Sequence, residues 1–171
     1  NREVYEKLGY FDLQTLEFIW TDIELPSPRR AVISKALNED SFVMLGGLGA
    51  GKEAWKFDIL SEQWEKLEDL PFSLTNAQFA VLSSQLYLLG GSNDADNGAK
   101  VFVYDWELDE GNWRETSLEL PIQKDSGRVL EISDKVAVVL GGYVRNGQRD
   151  PFIPGPMGES PVTDIQVFRV E

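Results

Sequence analysis

The chain of 171 residues is 42% hydrophobic and 11% aromatic, enough apolar material to fill a packed core, so disorder along its whole length is excluded. Sixteen Lys and Arg against 29 Asp and Glu leave a formal charge of −13, a field that repels nucleic-acid backbones and anionic membrane surfaces. Cys and His are both absent, which removes disulfides, thiolate nucleophiles, Cys/His zinc sites and every Ser-His-Asp or Cys-His relay.

Residues 1–7 lack the apolar stretch of a secretory signal, and no run approaches the ~18 apolar residues of a membrane span. Absence of Cys and of N-x-Ser/Thr sequons leans the expected location to the cytoplasm. Two strands are predicted at residues 4–13 and 17–23, rich in aromatic and β-branched residues and bounded by turn formers. After Leu25-Pro26 come four more: residues 31–36, the run Phe42-Val43-Met44-Leu45 ending in Gly46-Gly47, a strand around Phe57-Asp58, and one holding Trp64. Leu70-Pro71 opens a second set of four: residues 77–82, the run ending in Gly90-Gly91, a strand around Tyr104-Asp105, and one holding Trp113. Leu120-Pro121 opens the last set: residues 127–132, the run ending in Gly141-Gly142, and residues 164–170. No segment of helical length carries a helical stripe.

Three marks therefore recur in phase. The glycine pairs are offset by 44 and 51 residues, and the aspartates of Phe11-Asp12, Phe57-Asp58 and Tyr104-Asp105 by 46 and 47. Each aromatic-Asp pair is followed by a tryptophan (Trp20, Trp64, Trp113) and then by Leu-Pro. Such a period dictates a repeat architecture, and four short strands per repeat specify a β-propeller blade. Paired glycines suit the close approach of neighbouring strands, and the tryptophans are expected to pack one blade on the next, each indole N–H needing a partner.

Paired glycines, then Tyr or Phe, then Trp, at a period in the forties to fifty, resemble the kelch repeat over nearly the whole chain. A WD-type repeat would need Gly-His and Trp-Asp pairs, and neither occurs. The expected fold class is thus all-β, with kelch-type β-propeller blades of four antiparallel strands. The expected division is residues 1–25 as the end of one blade, 26–70 and 71–120 as blades, and 121–171 as an incomplete last blade. Two, four, four and three strands give thirteen, or about three and a half blades. A ring of that size leaves sheet edges and faces open. The chain is accordingly expected to be the C-terminal half of a propeller of five to seven blades, six by preference, its other blades supplied by the same protein or another chain. The resemblance implies that an N-terminal segment would add the Trp strand that the last blade lacks.

Few constellations suggest chemistry. Gly46-Gly47-Leu48-Gly49-Ala50-Gly51-Lys52 fits the phosphate-binding pattern G-x-x-x-x-G-K, but Glu53 stands where Mg²⁺ needs Ser or Thr, and a strand rather than a helix is expected to follow. Asn93, Asp94, Asp96 and Asn97 before Gly98 hint at a calcium loop, but the glycine falls one position early and no bidentate Glu follows. Glu107, Asp109 and Glu110, and Glu62, Glu65, Glu68 and Asp69, read as a solvated acidic surface. No catalytic residue, cofactor site or metal site is nominated.

The segment 143–161 stands out, since equivalent loops take about five to eight residues and loops beyond ~12 are commonly functional. It carries Arg145 and Arg149 in an acidic chain, Phe152 and Ile153, and four prolines. The expected function is a protein-interaction module whose loops on one face hold a partner protein. By resemblance to kelch adaptors, that face comprises residues 48–52, 68–75, 92–99, 117–126 and 143–161, with Lys52, Asn93, Asp94, Asp96, Tyr143, Arg145, Arg149, Phe152 and Ile153 as contact residues. Family partners include ubiquitin-ligase substrates and cytoskeletal proteins such as actin. Neither nucleic acid nor membrane insertion is expected. The alternative is a share in a kelch-fold carbohydrate oxidase or hydrolase, or a sugar-binding protein, whose active residues lie in the missing half.

Overall fold

The computed structural model describes residues 6–29, 32–74, 77–90, 100–106, 111–120, 127–144, 160–161 and 165–170. Within them the chain is all-β. Strands β1 (Lys7–Asp12) and β2 (Glu17–Glu24) form an antiparallel ribbon. Strands β3 (Ile33–Ala36), β4 (Ser41–Leu45), β5 (Ala54–Asp58) and β6 (Gln63–Lys66) form a four-stranded sheet in sequential order. Strands β7 (Phe79–Leu82), β8 (Gln85–Leu89), β9 (Lys100–Tyr104) and β10 (Arg114–Glu119) repeat it. The last sheet joins β11 (Arg128–Ser133), β12 (Val136–Leu140) and β15 (Ile165–Arg169), every neighbour antiparallel.

Register follows the repeat. Leu45, Leu89 and Leu140 each close the second strand of their sheets immediately before a glycine pair. Gly46 and Gly141 enter the turn with φ of +53° and +59°, the left-handed region that L side chains rarely adopt. The aromatic-Asp strands turn tightly into their successors. Asp12 Oδ1 accepts from the Gln14 and Thr15 amides at 2.7 and 3.1 Å, and Asp58 Oδ1 accepts from the Ser61 amide at 2.8 Å.

Alternation along the strands feeds two cores. Val43, Leu45 and Ala54 of the second sheet pack with Phe79, Leu88, Phe102 and Tyr104 of the third. The opposite face of the third sheet, with Leu82, Tyr87, Leu89 and Val101, packs on Ala137, Val139 and Phe168 of the last. Both faces of β8 and β9 are therefore buried, which is why they read as unbroken apolar runs.

Three expectations need correction. The count of thirteen strands becomes fifteen among the described residues, because β13 (Tyr143–Val144) pairs with β14 (Ser160–Pro161) and ties the base of the segment read as a loop. Trp113 lies just before β10 rather than within it. The third concerns the indole N–H groups, for the rings stack on aromatics of their own sheets while Trp113 also packs against the core shared by the second and third sheets. Trp64 meets Phe42 edge-on at 5.7 Å and Phe57 at 4.8 Å, and Trp113 meets Tyr104 at 5.1 Å. The buried Nε1 atoms of Trp64 and Trp113 have no hydrogen-bond acceptor among the described residues.

The glycine turns give a paired prediction. A Cβ on Gly46 would lie 2.8 Å from the Leu74 carbonyl oxygen, whereas one on Gly141 would meet nothing within 4 Å among the described residues. Gly46→Ala is expected to cost about 2–3 kcal/mol and Gly141→Ala about 1 kcal/mol, since both pay for left-handed backbone and only the first adds a clash. Denaturant midpoints of the two variants check the order, which reverses if the turn contacts are otherwise.

Candidate interaction face

The two ends of the sheets differ. One carries tight hairpins after β1, β5 and β7; the other carries the glycine-pair turns and the connections between sheets. At this second end the loop after β4 is closed by the Gly46 amide donating to the Glu53 carbonyl at 2.9 Å and the Gly51 amide to Gly47 O at 3.2 Å. The connection after β6 lies against it. The Leu70 amide donates to Lys52 O at 2.8 Å, the Gly47 amide to Leu74 O at 3.2 Å, and Lys52 Nζ to Pro71 O at 3.0 Å. Three bonds thus join residues 46–53 and 67–74 into one platform. The phosphate-binding pattern has neither of its structural requirements here: the loop runs into strand β5, and the Gly46, Gly47 and Gly51 amides are turned onto protein carbonyls.

Beneath the platform lies a network that the sequence did not announce. Arg29, whose side chain is 1% exposed, bonds Glu53 Oε2 through Nη2 at 2.6 Å. Its Nη1 donates to Gly46 O at 3.2 Å, its Nε to Ser27 O at 3.3 Å, and Nη2 also contacts Ser27 Oγ. Glu53 Oε2 further accepts from Ser27 Oγ at 2.9 Å and Trp55 Nε1 at 3.1 Å. Those bonds, from Trp55 and Ser27 first, hold the Glu53 carboxyl below its ordinary pKa, with Arg29 adding to them. Pro28-Arg29 occurs after only one of the three Leu-Pro marks, so no periodicity betrayed it.

The inner strands of the three larger sheets line a groove of about 390 Å³ built from matching positions. Val32, Ile33 and Ser34, then Ala77, Gln78 and Phe79, then Gly127, Arg128 and Val129 face it. One carboxylate joins the three strands: Glu131 Oε1 on β11 accepts from the Val81 amide of β7 at 2.5 Å and from Lys35 Nζ of β3 at 2.8 Å.

Of the expected contact residues, Lys52 is exposed at the rim of the platform, its ammonium on Pro71 O. Tyr143 opens β13, its backbone opposite Pro161. Asn93, Asp94, Asp96, Arg145, Arg149, Phe152 and Ile153 lie outside the described residues, as do Glu107, Asp109 and Glu110. Glu68 is not a merely solvated acid, since its Oε2 accepts from the Trp113 amide at 3.0 Å and links two sheets. Among the described residues no cluster of acidic side chains could hold a metal ion.

In-phase glycine pairs, antiparallel four-stranded sheets stacked face to face and inner strands around a common groove define kelch-type β-propeller blades. The comparisons agree with that class. Rat Kelch-like protein 38 (Rattus norvegicus) is 24% identical over 105 residues, spanning 59% of this chain and 18% of its own length, and the human protein (Homo sapiens) is 23% identical over the same shares. The solved structure of YjhT superposes with a TM-score of 0.62 at 22% identity, covering 71% of this chain and 36% of that one. No protein-family profile matches. The chain is thus built of β-propeller blades similar to those of kelch proteins, and it spans less than a fifth of the length of the curated relatives it matches.

Proposed function

We propose that this scaffold is a protein-interaction module that binds a partner protein at the loop end of its blades. The observation that supports the reading is the platform, in which Lys52, Gly47 and Leu70 bond the loop after the glycine pair to the connection after β6. Loops fixed on a rigid sheet lose little entropy when they bind. Arg145, Arg149, Phe152 and Ile153 complete the proposed contact set, arginine and aromatic residues being common interface anchors.

The test compares two ends of one molecule. Lys52→Glu with Arg145→Glu and Arg149→Glu alters the loop end; Leu13→Ser with Leu60→Ser alters the hairpin end. A protein captured by the wild-type chain and rebuilt from purified components should bind at least tenfold more weakly to the first variant and unchanged to the second. Equal binding by the loop-end variant, or loss confined to the hairpin-end variant, overturns the reading.

A further inference from the structure

The groove between the inner strands has a chemistry unlike the rest of the chain. Its lining residues open β3, β7 and β11, so it lies at the loop end, where the connections enter these strands. Among the described residues no carboxylate lines it, in a chain of 29 Asp and Glu against 16 Lys and Arg. Two cations do, and they are not equivalent. Lys35 Nζ is committed to Glu131 at 2.8 Å, and that carboxylate also takes the Val81 amide, so the deeper side of the groove is neutral and bridged. Arg128, exposed and nearer the loop end, bonds only Gly127 O among the described residues, from Nη1 at 3.0 Å. Its Nε and Nη2 edge is left for a ligand.

Apolar side chains flank that edge. Phe79 stands on the middle wall, Val32 and Ile33 on the first and Val129 on the third. The groove does not hang on the ends of the sequence. Its walls are three consecutive inner strands, and the middle one, β7, belongs to a sheet packed on both faces. Further blades of a ring would face it across the central channel rather than fill it.

We propose that the groove is a binding site for a small organic monocarboxylate with an apolar body, its carboxylate forked on Nε and Nη2 of Arg128 and its body against Val32, Ile33, Phe79 and Val129. A volume of about 390 Å³ is that of a small-molecule site, and such sites combine an apolar wall with a few placed polar groups. A planar guanidinium matches a carboxylate bidentately, and its bond to Gly127 O fixes the plane beforehand. The chain charge of −13 selects the size of the ligand. A small acid carries one charge through that field to one guanidinium, whereas an acidic segment of a protein brings several, each of them repelled.

Benzoate is the probe, followed through the amide and arginine Nε resonances of the 171-residue chain. It should bind saturably in the millimolar range or tighter, moving Arg128 Nε and the Phe79 and Val129 amides. Benzamide, which keeps the ring without the charge, and acetate, which keeps the charge without the ring, should each bind about tenfold more weakly. Arg128→Gln should lose about tenfold or more in benzoate affinity while its spectrum stays that of a folded chain, and Arg128→Lys, which keeps the charge without the fork, should fall between. Val32→Glu, an acid set into the groove, should weaken benzoate by a second route. No saturable shift, equal binding of benzamide, or unchanged affinity in Arg128→Gln overturns the proposal. So does tighter binding of a tetraglutamate peptide than of benzoate, which would make the groove a seat for an acidic protein segment.

Discussion

Arg29→Ala should lower unfolding free energy by about 2 kcal/mol, through the hydrogen bonds it removes rather than through the ion pair, since Glu53 is 36% exposed and its charge is partly screened. The guanidinium is 1% exposed and its loss strips donors from Glu53, Ser27 and the Gly46 carbonyl together. Lys at this position cannot restore the set, because an ammonium lacks the fork that reaches carbonyl and carboxylate at once. The pH dependence has a definite sign. Glu53 is depressed below its ordinary carboxyl pKa in the folded state, so its contribution is complete above the unfolded value of ~4.3 and is lost as pH falls through the folded value. Because Trp55 and Ser27 cause more of that depression than Arg29, Arg29→Ala should retain part of Glu53's share of the acid sensitivity, and adding Glu53→Gln should remove that share while the shares of Asp12, Asp22 and Asp58 remain. Urea titrations at pH 7 and pH 3.5 measure both effects. A loss under 1 kcal/mol at pH 7 would show that the network is dispensable.

Different physics made different parts legible. The blades were readable because each mark solves a problem that recurs in every repeat: a left-handed turn at Gly46 and Gly141, and an Asp-capped hairpin at Asp12 and Asp58. Repetition multiplies a weak local signal. Where a feature occurs once, that amplification is missing. Arg29 and Glu53 meet only after β3 to β5 have folded, and Glu53 read as nothing more than the wrong residue for a nucleotide loop. The ribbon β13–β14 has two residues per strand, too few to show alternation, and prolines around it speak for a loop. Glu131 sits in Arg-Val-Leu-Glu-Ile-Ser, where alternation alone does not reveal that the acid faces the protein and Leu130 faces out. That inversion leaves Leu130 and Ile132 on the exposed face, and periodicity alone cannot tell which of two faces is the covered one.

Glu131→Ala should cost about 3 kcal/mol, more than most surface substitutions, because one carboxylate oxygen serves inner strands of three sheets. β7 is an edge strand of its sheet, so its channel-side amides have no ladder partner. Glu131 supplies the acceptor for Val81, and one turn away Asp134 does the same for Ser83, whose amide donates to Asp134 O at 2.8 Å. Lys35 completes the clip from β3, with side chains 24% and 30% exposed, so the ion pair by itself is screened and worth under about 1 kcal/mol. The three terms separate by substitution. Glu131→Gln keeps an acceptor for Val81 and should recover most of the loss, Lys35→Met should cost little, and the double variant Lys35→Met with Glu131→Ala should show a coupling of roughly 0.5–1 kcal/mol. Hydrogen exchange adds a local readout: the Val81 amide should lose protection in Glu131→Ala and keep it in Lys35→Met. If Glu131→Gln is as damaging as Glu131→Ala, the charge rather than the hydrogen bond to β7 joins the sheets, and the order of these contributions is reversed.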